Sequence, residues 1–151
     1  MSFDEFDQRI ISGKICPYCF KEPEFVDSKV VYGRSYGMIY YCKDCDAYVG
    51  VHKNTNQALG RLANKELREA KKNAHYYFDH LWAKKMSLML RKKKNPSKKE
   101  VSAVRRIVRN QAYSWLSKMM KLPSKHTHIG MFTVERCNEV INICKPYIKK
   151  Y

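Results

Sequence analysis

Two textures of apolar and polar positions succeed one another along the chain. Up to about residue 60 the apolar residues come in short runs rich in Val, Ile and Tyr, broken by Gly, Ser and Asp. The stretches "EFVDSKVVYG" (24–33) and "SYGMIYYC" (35–42) predict two antiparallel strands turning near residues 33–35, and "AYVGVH" (47–52) predicts a third. From Asn64 the spacing lengthens to threes and fours. Leu67, Ala70, Ala74, Phe78, Leu81 and Trp82 predict an amphipathic helix capped by Asn64. Lys85 falls in the middle of that stripe, which predicts an end or a bend at residues 82–83 before "MSLMLRKKKN" resumes as a further helical piece stopped by Pro96. Ser97 and Glu100 form a Ser-x-x-Glu capping box that opens a helix reaching about Met120. The predicted buried face of this helix is Val101, Val104, Val108, Ala112, Trp115, Leu116 and Met119, and Pro123 ends it. After a loop through "HTHIGMF", Thr133 caps a last helix broken by Pro146. The expected fold is α+β: a small module of three short antiparallel strands in residues 1–60, then a helical lobe in residues 61–151.

Composition sharpens this picture through charge. The chain has 151 residues, 44% of them hydrophobic, and a formal net charge of +16, so it is globular and strongly basic. Residues 1–60 hold 7 Lys/Arg against 8 Asp/Glu, whereas residues 61–151 hold 23 against 6. All of the excess positive charge therefore belongs to the helical lobe. Such a field selects a polyanion, nucleic acid before an anionic membrane. No apolar run reaches 18 residues, which predicts no transmembrane helix. The acidic start "MSFDEFDQRI" lacks the basic and apolar regions of a secretory signal, so a cytoplasmic, reducing location is expected.

In that setting the cysteines point to metal. Cys16-x2-Cys19 and Cys42-x2-Cys45, with 22 residues between the pairs, have the spacing of two knuckles that bring four thiolates to one tetrahedral zinc. A module of this size cannot bury enough apolar surface to stand alone, and a structural zinc supplies what a core would supply elsewhere. A redox Cys-x-x-Cys opens an amphipathic helix in a βαβ setting, and neither pair does so here. Four thiolates leave no coordination position open, so the single Zn2+ is expected to be structural and not catalytic. His52 follows Cys45 by seven residues and reads as the end of a half-exposed strand. Cys137 and Cys144, seven apart on the last helix with Val140 and Ile141, read as core; with His126 and His128 they fit no common metal spacing.

The basic run supplies the second candidate site. Between residues 84 and 109 eleven Lys/Arg stand against one acid, Glu100. Lys92, Lys93, Lys94, Lys98, Lys99, Arg105, Arg106 and Arg109 are the predicted phosphate contacts, gathered largely on one flank of the helix after Ser97. A solvated helix face usually mixes signs, and this one does not. Tyr18, Tyr32, Tyr36, Tyr40, Tyr41 and Tyr48 enrich the strand module; any that are exposed suit stacking on unpaired bases. An enzyme would have to use Arg68, His75, Asp79 and His80 along the first helix, where His75 and Asp79 are i,i+4 neighbours, but no nucleophile or Gly-rich loop accompanies them.

Several stretches together resemble a family of small bacterial and phage proteins described as a zinc-finger-containing domain of unknown function. They are "CPYC", "DSKVVYGRSYGMIYYCKDCDAYVGVH", "LGRLANKELREAKKNAHYYFDHLW", "AYSWL" and "HIGMF" followed by Cys137. The resemblance implies a zinc ribbon joined to a helical lobe, with Cys16, Cys19, Cys42 and Cys45 as ligands, and implies no activity. The resemblance passes over the segment "AKKMSLMLRKKKNPSKKEVSAVRRIVR", which carries the basic run, and implies a shorter connection from Trp82 to the "AYSWL" helix in relatives. The resulting expectation is a non-enzymatic nucleic-acid-binding or adaptor protein acting on DNA or RNA. The alternative is a protein-interaction module docking on host transcription or replication machinery.

Overall fold

The computed structural model describes residues 4–148. They form two compact units, and the division falls inside one long helix. The first unit runs from the N-terminal side to Lys71 and takes in Gly130–Val134; the second comprises Lys72–Ile129 and the chain after Val134.

In the first unit a short helix α1 (Gln8–Ile11) precedes three antiparallel strands, β1 (Glu24–Asp27), β2 (Met38–Cys42) and β3 (Ala47–Gly50), arranged in chain order. Phe25 faces Tyr40 across β1 and β2, and Tyr41 faces Tyr48 across β2 and β3. The expected hairpin differs in one respect. Residues 29–32 do not continue β1; they form a single helical turn, α2 (Lys29–Tyr32), closed by Gly33 at φ 80°. The Asp27 carboxylate accepts from the backbone N–H of Lys29 (2.8 Å) and from the Ser35 hydroxyl (2.9 Å), and the Ser28 hydroxyl accepts from the N–H of Tyr36 (2.7 Å). These side chains offer the backbone partners that a strand ladder would otherwise supply, and the loop wins over the β-branched propensity of Val30 and Val31.

The interior of this unit is small. Cys16, Cys42, Ala47, Val49 and Leu62 are its buried cluster, flanked by Cys19, Tyr40, Cys45 and Ala58. Gly60 and Gly130 cross so closely that a Cβ on Gly60 would overlap the carbonyl of Gly130. Arg61, itself buried, donates from Nε to the Met131 carbonyl (2.9 Å) and from its terminal nitrogen to the Glu5 carbonyl. The last three residues of the "HIGMF" stretch, Gly130 to Phe132, thus belong with the ribbon.

The helix α3 (Lys65–Arg91) starts where Asn64 accepts from the N–H of Leu67 (3.0 Å). It runs as one helix past residues 82–83, so the expected end there does not occur. Lys85 is exposed, and its ammonium donates to the Gln111 side chain (2.7 Å), so the apolar stripe simply drifts away from it. In the second unit α4 (Lys98–Met120) packs on α3, Phe78 lying 4.6 Å from Tyr113, centroid to centroid. The Ser97–Glu100 capping box is present in both directions, at 3.1 and 3.2 Å. Ser97→Ala is expected to cost about 1 kcal/mol in urea unfolding, the usual worth of an N-cap, and an unchanged midpoint would contradict this role.

The buried face of α4 is Val104, Val108, Tyr113, Leu116, Ser117 and Met120. Of the expected face, Val101, Ala112 and Trp115 are only partly buried and Met119 is exposed, while Tyr113, Ser117 and Met120 are buried instead. Two single 3-10 turns, Ser124–His126 and Ile129–Met131, lead to α5 (Val134–Ile148), which buries Cys137, Val140 and Cys144 as core. Pro146 does not break α5; it lies in the final turn, where few hydrogen bonds remain to be lost.

Candidate metal centre

The two cysteine pairs sit in two tight turns of the first unit. One precedes β1, and the other joins β2 to β3, where Cys42 pairs with Ala47 across the strands. The first turn is closed by the Phe20 N–H donating to the Cys16 carbonyl (2.8 Å) and by the Cys16 N–H donating to the Lys21 carbonyl (2.9 Å). The second is closed by the Asp46 N–H donating to the Lys43 carbonyl (3.2 Å). In each turn the residue after the second cysteine lies in the left-handed region: Phe20 at φ 64° and Asp46 at φ 49°. Two unrelated sequences adopt the same turn because each must aim two sulfurs and several N–H groups at one point. Sequence spacing identified the sulfurs; it carried no sign of these two strained positions, which glycine would occupy at lower cost.

The four Sγ atoms lie within 4.8 Å of one another, Cys19 and Cys42 at 3.6 Å, and none is in a disulfide. Tetrahedral zinc with Zn–S bonds of about 2.3 Å sets its sulfurs about 3.8 Å apart, so the donor set fits. Backbone N–H groups of Tyr18 and Cys19 reach the Cys16 sulfur, and that of Lys21 holds the Cys19 thiol below its ordinary pKa. Burial pushes the Cys16 thiol up, and burial together with the neighbouring sulfurs pushes Cys45 far up. Four thiolates do not persist side by side without a cation; a divalent ion reverses that balance and supplies structural cross-linking.

Arg68 braces the second knuckle. Its guanidinium donates to the Asp46 and Ala63 carbonyls (both 2.8 Å), approaches the Asp46 carboxylate at 3.3 Å, and stacks 4.4 Å from the Tyr48 ring centroid. In the sequence alone Arg68 stands out only as a possible enzymatic group beside His75, Asp79 and His80. His52 is exposed, and its backbone is engaged in a turn with Thr55 and Gln57; the cluster of metal-ligating side chains among the described residues consists of the four cysteines without it.

The predicted phosphate contacts lie in the second unit. Lys92, Lys93 and Lys94 follow the end of α3, Lys98 and Lys99 occupy the first turn of α4, and Arg105, Arg106 and Arg109 lie further along it; all eight are exposed. Among the described residues only Lys93 is in an ion pair, with Glu100 at 3.4 Å, while Arg109 lies 5.2 Å from the Tyr113 ring centroid. His75 and Asp79 are 3.9 Å apart and half-exposed, and the Asp79 carboxylate accepts from the Trp82 indole (2.8 Å). His80 lies over Tyr76 with its Nδ1 3.2 Å from that residue's carbonyl.

A three-stranded antiparallel sheet with two cysteine knuckles at its turns defines a zinc-binding protein of the ribbon type, with one structural zinc site. The chain belongs to the family described as a zinc-finger-containing domain, whose model matches residues 12–99 and 86–147. The two matched pieces overlap at residues 86–99, where α3 ends and the basic turn leads into α4. No curated protein and no solved structure matches the chain significantly. No helix among the described residues is long and apolar enough to cross a membrane.

Proposed function

We propose that this protein is a non-enzymatic nucleic-acid-binding protein or adaptor that holds its partner through the α3–α4 turn and the exposed flank of α4. The observation that carries this reading is the set of eight exposed cations from Lys92 to Arg109, with a single acid, Glu100, among residues 84–109. Displayed charge of one sign gains by releasing the counterions condensed on a polyphosphate, and it gains nothing comparable from a neutral protein surface. Phosphate contacts of this kind set affinity and orientation without reading sequence. The zinc is structural in this reading and orders the ribbon. The carboxylate of the His75–Asp79 pair is already engaged in orienting Trp82, a packing task rather than an acid–base one.

The test is a salt titration of binding to duplex and single-stranded oligonucleotides, read by anisotropy. The expected log–log slope is about −0.9 per phosphate neutralised on duplex and about −0.7 on single strands. Replacing Arg105, Arg106 and Arg109 together by Gln is expected to weaken binding to all sequences alike and to flatten the slope, with zinc content unchanged. Gln keeps helix propensity close to that of Arg, so the loss reports charge. Binding that ignores salt, or no binding at low salt, rejects the proposal.

A further inference from the structure

We propose that the loop between β1 and β2 is a stacking platform for unpaired nucleobases, through which the ribbon takes single-stranded DNA or RNA. This rests on the nucleic-acid reading above and adds a second contact surface, in the first unit, with a preference for strands whose bases are free.

Three aromatic rings meet at this loop. Tyr32 stands edge-on to both Tyr36 and Tyr48, at centroid separations of 5.6 and 5.7 Å and interplanar angles of 89° and 86°. Tyr32 is 52% exposed and Tyr36 69%, and Val30 beside them is 59% exposed. Apolar surface left in water in this way marks contact with a partner when it is gathered and held in place. It is held in place here. Ser28 is buried, its N–H donates to the Gly37 carbonyl (2.8 Å) and its hydroxyl accepts from the Tyr36 N–H (2.7 Å). Asp27 accepts from Lys29 and Ser35, and Gly33 and Gly37, at φ 80° and 107°, make the turns that present the two exposed rings. A loop fixed by this many hydrogen bonds, with its rings outward, is preorganised for a flat ligand.

Charge selects the ligand. Lys29 and Arg34 lie in the same loop, both exposed and neither in an ion pair among the described residues. Asp27, held ionised by its hydrogen bonds from the Lys29 N–H and Ser35, offsets one of these two charges and leaves the loop with a net positive charge. The Arg68 guanidinium stacks on Tyr48 and is paired with Asp46, so it fixes that ring in place without adding net charge. Aromatic faces with cations beside them suit bases joined by phosphates, and stacking demands bases that are not already paired. Because every base has a π-face, the platform tolerates any sequence.

The experiment compares three proteins, each loaded with zinc: the wild type, the double variant Tyr32→Ala with Tyr36→Ala, and the double variant Tyr32→Phe with Tyr36→Phe. The probes are fluorescent oligo(dT), oligo(U) and a DNA duplex of equal length. The alanine pair is expected to weaken oligo(dT) or oligo(U) binding by roughly tenfold to a hundredfold, corresponding to one or two lost stacks, and to leave duplex binding within twofold. The phenylalanine pair keeps the rings and is expected to bind single strands within about threefold of the wild type. Unchanged single-strand affinity in the alanine pair overturns the platform and leaves the rings to a protein contact. Equal losses for single strand and duplex overturn it as well. If the wild type binds the duplex with a salt slope while the tyrosine variants change nothing, the α4 flank stands and the platform alone falls. If the wild type binds none of the three probes, both fall together.

Discussion

Cys42→Ser is expected to abolish zinc binding and unfold the ribbon while the second unit keeps most of its helix. The reason is the smallness of the first interior, in which thiols make up two of the five buried residues of the cluster. A structural zinc contributes roughly 10–16 kcal/mol of apparent folding free energy near neutral pH, comparable with or larger than the entire stability of a typical domain. The aliphatic residues around it, Ala47, Val49 and Leu62, offer a few kcal/mol at most by area. Ser leaves a three-thiolate site and an uncapped turn between β2 and β3. Elemental analysis is expected to give one zinc per wild-type chain and none for the variant. Far-ultraviolet circular dichroism is expected to retain most of the signal of α3 to α5, which lies largely in a separately compact unit. Chelation of the wild-type protein should reproduce the same spectrum. A variant that keeps stoichiometric zinc, or a wild-type protein with none, would remove the metal from the account of this fold.

The second large effect is expected in the helical lobe. Phe78→Ala is expected to cost about 3–5 kcal/mol, because the ring is completely buried and packs against Tyr113. Trp115→Ala is expected to cost less despite the larger side chain. Trp82 and Trp115 are only half-buried and line an open groove of about 310 Å³ with Tyr147, whose ring stands 5.5 Å from that of Trp115. The pattern of apolar positions predicted that both indoles are buried with Phe78 and Leu116; only the latter two are. Urea unfolding followed by circular dichroism ranks the two variants. A larger loss for Trp115→Ala than for Phe78→Ala would show that the weight of the core lies at the groove.

The metal ligands, the start of α3 at Asn64 and the capping box of α4 were legible from residues a few positions apart, because the chemistry involved closes over a few positions. The length of α3 was not. Lys85 looked like an interruption, yet a lysine on a partly exposed stripe extends its ammonium to Gln111 and leaves the helix intact. The β1–β2 connection departs from its residue types for the opposite reason. Val30, Val31 and Tyr32 favour a strand by type, and three short hydrogen bonds accepted by the side chains of Asp27 and Ser28 outweigh that preference.

What the amino-acid sequence determined by itself is therefore the zinc donor set, the α+β order of elements, and the segregation of positive charge after residue 60. Each is carried by residue identity and short spacing, which survive whatever the rest of the chain does. Only the tertiary structure decided which residues of α4 are buried, that Pro146 stays within α5, that Gly130 returns against Gly60, and that Arg68 braces a zinc knuckle. Those outcomes depend on partners up to 70 residues away along the chain. Loop closure over such distances costs entropy that no local pattern records, and packing selects the one arrangement that repays it.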